Sequence, residues 1–195
     1  MAFSPKPTFA RRQFLRNSLL GVGGVLGVTS IGATVFLSNE YRVRYGQLLY
    51  LRGHLADIVH TFAEAALPQG QGFPTVEEAK VVPRLDEEFY FIDPTIQNDF
   101  KAVLFLVEAI PLWEGYFSRF SRLSREDRVA FLEKMQSTEN DLYRVAIANV
   151  RMAVRLMYYG HPSTWKAIGY DGPFGNVPEV VSEQRQHYTS LIQAS

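Results

Sequence analysis

Residues 48–66 read Leu-Leu-Tyr-Leu-Arg-Gly-His-Leu-Ala-Asp-Ile-Val-His-Thr-Phe-Ala-Glu-Ala-Ala. Leu48, Leu51, Leu55, Ile58, Val59, Phe62 and Ala66 recur mainly at intervals of three and four, the spacing that lines up side chains along one face of a helix. A strand would need apolar and polar residues to alternate, and no such alternation is sustained here or further along. Pro68, Gly70 and Gly72 end the segment.

Downstream the helical period returns. Thr75 and Glu78 form a capping box for a short helix that Pro83 is expected to interrupt. Asp93-Pro94 pairs an N-cap residue with a proline at the first helical position. The helix it starts carries Ile96, Phe100, Val103, Leu104, Val107 and Ile110, and Pro111 is expected to bend or stop it. Ser124-x-x-Asp127 opens a further segment with Val129, Phe131, Leu132 and Met135. Thr138 with Asp141 is read as the cap of the longest remaining helix, which runs through Leu142, Val145, Ala146, Val150, Ala153, Val154, Leu156 and Met157 to Gly160. Pro162 to Pro178 is turn-rich, and a short amphipathic helix is expected near 179–192. No internal repeat or long linker divides this body. The expected fold class is all-α, with a single helical domain over residues 41–195.

Composition narrows the function classes. The chain has 195 residues, 47% of them hydrophobic and 21% charged, which fits one folded domain rather than a disordered or fibrous chain. Twenty Lys and Arg balance twenty Asp and Glu, so no general basic surface recommends a nucleic acid as partner. There is no cysteine. A disulfide framework, a thiolate metal site and haem attachment through Cys-x-x-Cys-His are thereby excluded. The neutral total hides an asymmetry: residues 1–33 hold Lys6, Arg11, Arg12 and Arg16 and no acid.

Residues 10–16 read Ala-Arg-Arg-Gln-Phe-Leu-Arg, and a charge-free stretch follows from Asn17 to Asn39. Its apolar body, Leu19 to Leu37, is diluted by five glycines. This resembles a bacterial twin-arginine export signal, with Arg11 and Arg12 as the pair read by the translocase and Phe14 and Leu15 as the apolar half of the motif. Residues 1–33 form the expected signal segment, with a mature start near Ala33 or Thr34. If the segment is retained to about residue 38, its length of roughly 20 apolar residues suffices for a membrane anchor. The twin-arginine route carries folded proteins, often loaded with a cofactor. The body of this chain has no cofactor motif to match that route.

Candidate chemistry in the body is sparse. His54, Asp57, His60 and Glu64 lie three or four residues apart on the first helix, and Asp57-x-x-His60 is half of a di-iron pattern. His161 and His187 have no carboxylate three residues ahead to supply the other half. The expectation is therefore a solvated or hydrogen-bonded polar face, with no metal site assigned. Glu108 and Glu114 flank Pro111 and are read as exposed rather than as an acid/base pair. Gly-x-Ser-x-Gly and the phosphate loop are both missing, so no catalytic residue is assigned and no cofactor is expected on this chain.

Residues 157–175 differ in character: Met-Tyr-Tyr-Gly-His-Pro-Ser-Thr-Trp-Lys-Ala-Ile-Gly-Tyr-Asp-Gly-Pro-Phe-Gly. Tyr158, Tyr159, Trp165 and Tyr170 stand among glycines and prolines that fix the backbone. Large aromatics with polar tips on a rigid segment suit an interface anchor, since they bury much area at low entropic cost. The alternative is a structured loop packed on the protein's own core.

This run resembles the C-terminal signature of the gluconate 2-dehydrogenase subunit 3 family, a Tyr-Tyr helix tail followed by Trp-Lys and Gly-Tyr-x-Gly-Pro. The matching residues are Tyr158, Tyr159, Trp165, Lys166, Gly169, Tyr170, Gly172 and Pro173. Phe-Ala-Glu-Ala-Ala-Leu-Pro at 62–68 is similar to an upstream block of the family, with Glu64 where the family has Asp, and Leu-Ser-Arg-Glu-Asp-Arg at 123–128 also fits. The resemblance implies a non-catalytic small subunit of a periplasmic, membrane-associated dehydrogenase. The implied large partner is an FAD flavoprotein of the glucose-methanol-choline type, joined by a multihaem cytochrome c carrying haem c. The small subunit would supply the export signal and assist maturation, and Tyr158, Tyr159, Trp165, Lys166, Tyr170, Gly172 and Pro173 would meet the partner. The competing expectation is a stand-alone periplasmic helical binding protein with a metal on the 54–64 helix.

Overall fold

A computed structural model of the chain describes residues 45–173 and 181–194. The signal residues Arg11, Arg12, Phe14 and Leu15 and the apolar stretch behind them lie outside the described residues. Seven α-helices are described: α1 (His54–Ala66), α2 (Val81–Tyr90), α3 (Pro94–Trp113), α4 (Arg125–Lys134), α5 (Asp141–Tyr159), α6 (Pro162–Trp165) and α7 (Glu183–Ala194). Two 3-10 turns, Phe120–Arg122 and Lys166–Ile168, complete the set, and no strand occurs among the described residues. The body is all-α, as its periodicity predicts. No helix among the described residues is long and apolar enough to cross a membrane.

Helix α1 is the centre, packed against α2, α3, α4 and α5. Every residue from Leu55 to Ala63 is buried, including Asp57, His60 and Thr61. A helix covered on all sides is a core helix rather than an amphipathic surface one, so of the two forms expected of its polar face the hydrogen-bonded one is found, with His60 against Tyr45 and Thr61 bonded to the Asp57 carbonyl, and not the solvated one. The helix also starts later than its apolar period implies. Gly53 adopts φ 56°, a left-handed value that glycine accepts without a Cβ penalty, and there the chain turns into α1. Leu48, Tyr50 and Leu51 are buried from an irregular segment instead.

That segment exposes backbone N–H groups to the interior, and one carboxylate receives them. Asp86, on the buried face of α2, accepts from the N–H of Leu49 at 2.9 Å, from that of Tyr50 at 2.8 Å and from that of Leu51. The Tyr188 hydroxyl of α7 donates to Oδ2 of the same carboxylate. Four donors around one fully buried anion supply the charge-assisted bonds that its desolvation requires. Burial pushes the Tyr188 phenol well above its usual pKa, helped by the hydrogen bond to Asp86 and the Asp86 charge. Tyr188 is the only buried residue of α7, which is otherwise tied by Arg185 to Glu87 at 2.9 Å and by edge contacts of the Tyr188 ring with Tyr90.

Local signals set most helix boundaries. Asp93 accepts from the Thr95 N–H at 2.8 Å and Ser124 from the Asp127 N–H at 3.0 Å, as their positions predict. Thr75 and Glu78 form the reciprocal bonds of a capping box, at 3.1 and 2.7 Å, but the residues behind them, 76–80, form a turn instead of the expected helix, and α2 begins only at Val81 after Lys80. Several expectations are corrected. Pro83 does not interrupt α2, because it falls in the first turn, where a missing N–H costs no intrahelical bond. Pro111 does not stop α3, which continues to Trp113. The cap of α5 is Asn140, whose side-chain oxygen accepts from Leu142 and Tyr143, rather than Thr138 with Asp141. Glu108 is fully buried rather than exposed. It accepts from the Ser121 N–H at 2.9 Å and the Ser121 hydroxyl at 2.6 Å, and pairs with Arg119.

Replacing Asp86 by Ala strands three backbone donors and a phenol, and is expected to cost about 3–5 kcal/mol. Tyr188→Phe removes a single bond to the carboxylate and should cost about 1.5–3 kcal/mol. Urea denaturation of the two variants checks both values; an Asp86→Ala protein within about 1 kcal/mol of wild type would contradict the assignment.

Candidate functional site

The aromatic run begins inside α5 and is fixed at the end of that helix. Gly160 terminates it with φ −75° rather than a left-handed value. Glycine is needed there for space: a Cβ would stand 2.8 Å from the Leu156 carbonyl oxygen and 3.3 Å from the Arg84 guanidinium. That guanidinium donates to the Met157 carbonyl, satisfying one of the orphan acceptors of the helix end with a cation of the favoured sign. Thr164, fully buried, places its hydroxyl 2.8 Å from the His161 carbonyl and within reach of those of Tyr158 and Tyr159. His161 caps α6 through Nδ1, which accepts from the Ser163 N–H at 3.3 Å.

The run divides into inward and outward residues. Tyr158 is 0% exposed, and its hydroxyl lies 2.8 Å from the Pro74 carbonyl and 3.1 Å from that of Pro68, pinning the loop after α1 to α5. Burial pushes its phenol up to about 12. The expected partner-facing Tyr158 is therefore an interior residue. Tyr159, beside it at a ring distance of 5.2 Å, is half-buried. Trp165 is also half-buried and is covered by its own tail. Tyr170 meets it edge to face at 5.4 Å, and a Cβ on Gly172 would come to 3.3 Å of its ring. Gly172, at φ 109°, supplies both the close approach and the left-handed backbone. Tyr170, Lys166 and Pro173 are exposed, as is Ile168.

Two features escaped the sequence reading. Leu156, read as part of the inward stripe of α5, is 67% exposed, and Met152 one turn earlier is 68% exposed. Leu112 and Trp113 at the end of α3 and Phe117 just beyond it are further exposed apolar residues, with Phe117 91% exposed at φ 52°, a backbone value that side chains rarely adopt. Cations and carboxylates of both signs border this group, Glu114 with Lys134 at 2.7 Å and Arg119 with Glu108, so its charge specifies no partner.

The candidate metal ligands do not converge. His54 packs against the Phe105 ring at 5.2 Å, and Asp57 is buried in the core. The Tyr45 hydroxyl and His60 Nδ1 are hydrogen-bonded at 2.7 Å, and His60 Nε2 lies 3.3 Å from Glu64 and 3.5 Å from Glu77. Glu64 also pairs with Arg128 of α4, which donates to the Thr61 carbonyl at 3.1 Å. Among the described residues no group of three ligand-type side chains could hold a metal ion. Glu108 and Glu114 have separate partners, Ser121 and Lys134. No protein-family model, curated protein or solved structure matches the chain.

Burial lowers the pKa of His161, and the nearby Arg84 and Lys80 lower it further; burial followed by Arg119 does the same for His54. Their folded values fall below the unfolded value of about 6.5. The unfolded chain therefore binds more protons below that pH, and the stability these neutral histidines contribute is full above it and lost as pH falls through their folded values. His161→Asn keeps an acceptor at the cap without the titration. Thermal melts from pH 7 down to 5.5 should show a smaller loss of Tm in this variant than in wild type, and parallel losses would contradict the role.

Proposed function

We propose that this chain is the non-catalytic small subunit of a periplasmic, membrane-associated FAD-dependent dehydrogenase, as its resemblance to the gluconate 2-dehydrogenase subunit 3 family implies. It provides the twin-arginine signal through Arg11, Arg12, Phe14 and Leu15, and it holds the flavoprotein as folded cargo during export. A multihaem cytochrome c completes the assembly and takes the electrons. The observation that carries this reading is the family-like run Tyr158 to Pro173, in which Tyr170, packed edge to face on Trp165, and Lys166 and Pro173 are exposed.

Export tests the proposal. An FAD-dependent dehydrogenase of the same genome that lacks a signal of its own is produced with this chain, without it, and with Arg11→Lys/Arg12→Lys. Ammonium groups do not reproduce guanidinium recognition. Periplasmic dehydrogenase activity should be high in the first case and near background in the other two. Equal periplasmic activity without the chain would refute the reading.

A further inference from the structure

The C-terminal helix α7 is held unlike the central one. Nine of the 13 residues of α1 are buried, whereas Tyr188 alone is buried among the 12 of α7. Among the described residues no other helix makes extended packing with α7. A helix of this length without such packing is marginal in water, so α7 depends on a few contacts. These lie on the C-terminal half of α2 and on Phe91 just after it. The Tyr188 hydroxyl donates to Asp86 Oδ2, and the Tyr188 ring meets those of Tyr90 and Phe91 at 6.0 and 6.4 Å. Arg185 pairs with Glu87 at 2.9 Å, but its side chain is 53% exposed, and ion pairs open to solvent add little.

Release of α7 leaves the body satisfied. Asp86 keeps the N–H groups of Leu49, Tyr50 and Leu51, so its charge retains three donors and the strap stays joined to α2. Water replaces Tyr188 at Oδ2. Several hydrogen bonds of the C-terminal segment are internal to it. Ser182 Oγ accepts from the Arg185 N–H, Gln186 donates to the Val181 carbonyl, Thr189 to that of Arg185 and Ser190 to that of His187. They travel with the helix and do not bind it to the body. What resists release is the Tyr188 anchor, through its ring and its bond to a carboxylate.

We infer that α7 is a releasable clasp, which lets go of α2 as a unit while the helices around α1 stay folded. Its release uncovers a surface of defined chemistry, the carboxylates of Asp86 and Glu87 beside the rings of Tyr90 and Phe91, which α7 occupies with Tyr188 and Arg185. The inference is independent of the subunit reading.

Native-state hydrogen exchange of the full-length chain, resolved by residue and repeated in urea below the unfolding transition, tests it. Protection factors from Gln186 to Ala194 should be alike and at least about a hundredfold below those of Ala56 to Ala63. Exchange in α7 should respond weakly to urea, because its opening exposes little surface, while α1 should follow the steep slope of global unfolding. Tyr188→Phe should lower protection throughout α7 by about tenfold or more. Equal protection and equal urea dependence in α7 and α1 would overturn the inference. So would a gradient in which Gln186 to Tyr188 are as protected as α1 and only the end toward Ala194 frays, or an α7 whose protection Tyr188→Phe leaves unchanged.

Discussion

A buried carboxylate with four donors holds this fold together. Asp86 gathers the N–H groups of Leu49, Tyr50 and Leu51 and the hydroxyl of Tyr188, residues far apart in the chain. An unpaired anion in that position would cost several kcal/mol, and three inward-facing amides without an acceptor would cost a comparable amount. Each is tolerable only because the other is present. The consequence is structural: the strap entering α1, the central side of α2 and the C-terminal helix are locked to one point. Tyr50 extends the lock by stacking on Phe89 at 5.4 Å and donating to the Gln97 carbonyl at 2.7 Å.

The same device recurs at smaller scale. Glu108 fastens the turn after α3 through Ser121, Arg128 fastens α4 to α1 through Thr61 and Glu64, and Tyr158 fastens the Pro68–Pro74 loop to α5. These interior polar groups are satisfied across elements, so they specify which segments meet, while Phe62, Leu104, Ile110 and Phe131 supply the apolar burial. On the outer face of α5 and in the segment after it, Met152, Leu156, Ile168 and Tyr170 stand exposed.

What could be read from the sequence follows the range of the interaction. Asp93-Pro94 and Ser124-x-x-Asp127 were legible because cap and donor lie within three residues. Asp86 was not, because its donors lie 35 to 37 residues before it and 102 after it, and in an Asp-Glu-Glu run it reads as surface. Leu156 was assigned inward because α5 has apolar residues on several faces, and periodicity alone does not say which face a neighbour covers. Tyr158, in the last turn of α5, faces in towards the Pro68 and Pro74 carbonyls, whereas Tyr170 stands beyond the left-handed turn at Gly169 and is exposed.

The proposed function requires a partner that covers exposed apolar surface of this chain, of which Met152 is part. Methionine oxidation measures it without any mutation. Met152 is 68% exposed, whereas Met135 and Met157 are buried at 1% and 7%. Brief peroxide treatment of the free subunit should convert Met152 to the sulfoxide well before the other two. In the complex with the flavoprotein, the rate at Met152 should fall to that of Met135 and Met157, with the latter unchanged. Oxidation of Met152 at the same rate in the complex as in the free subunit would contradict the account.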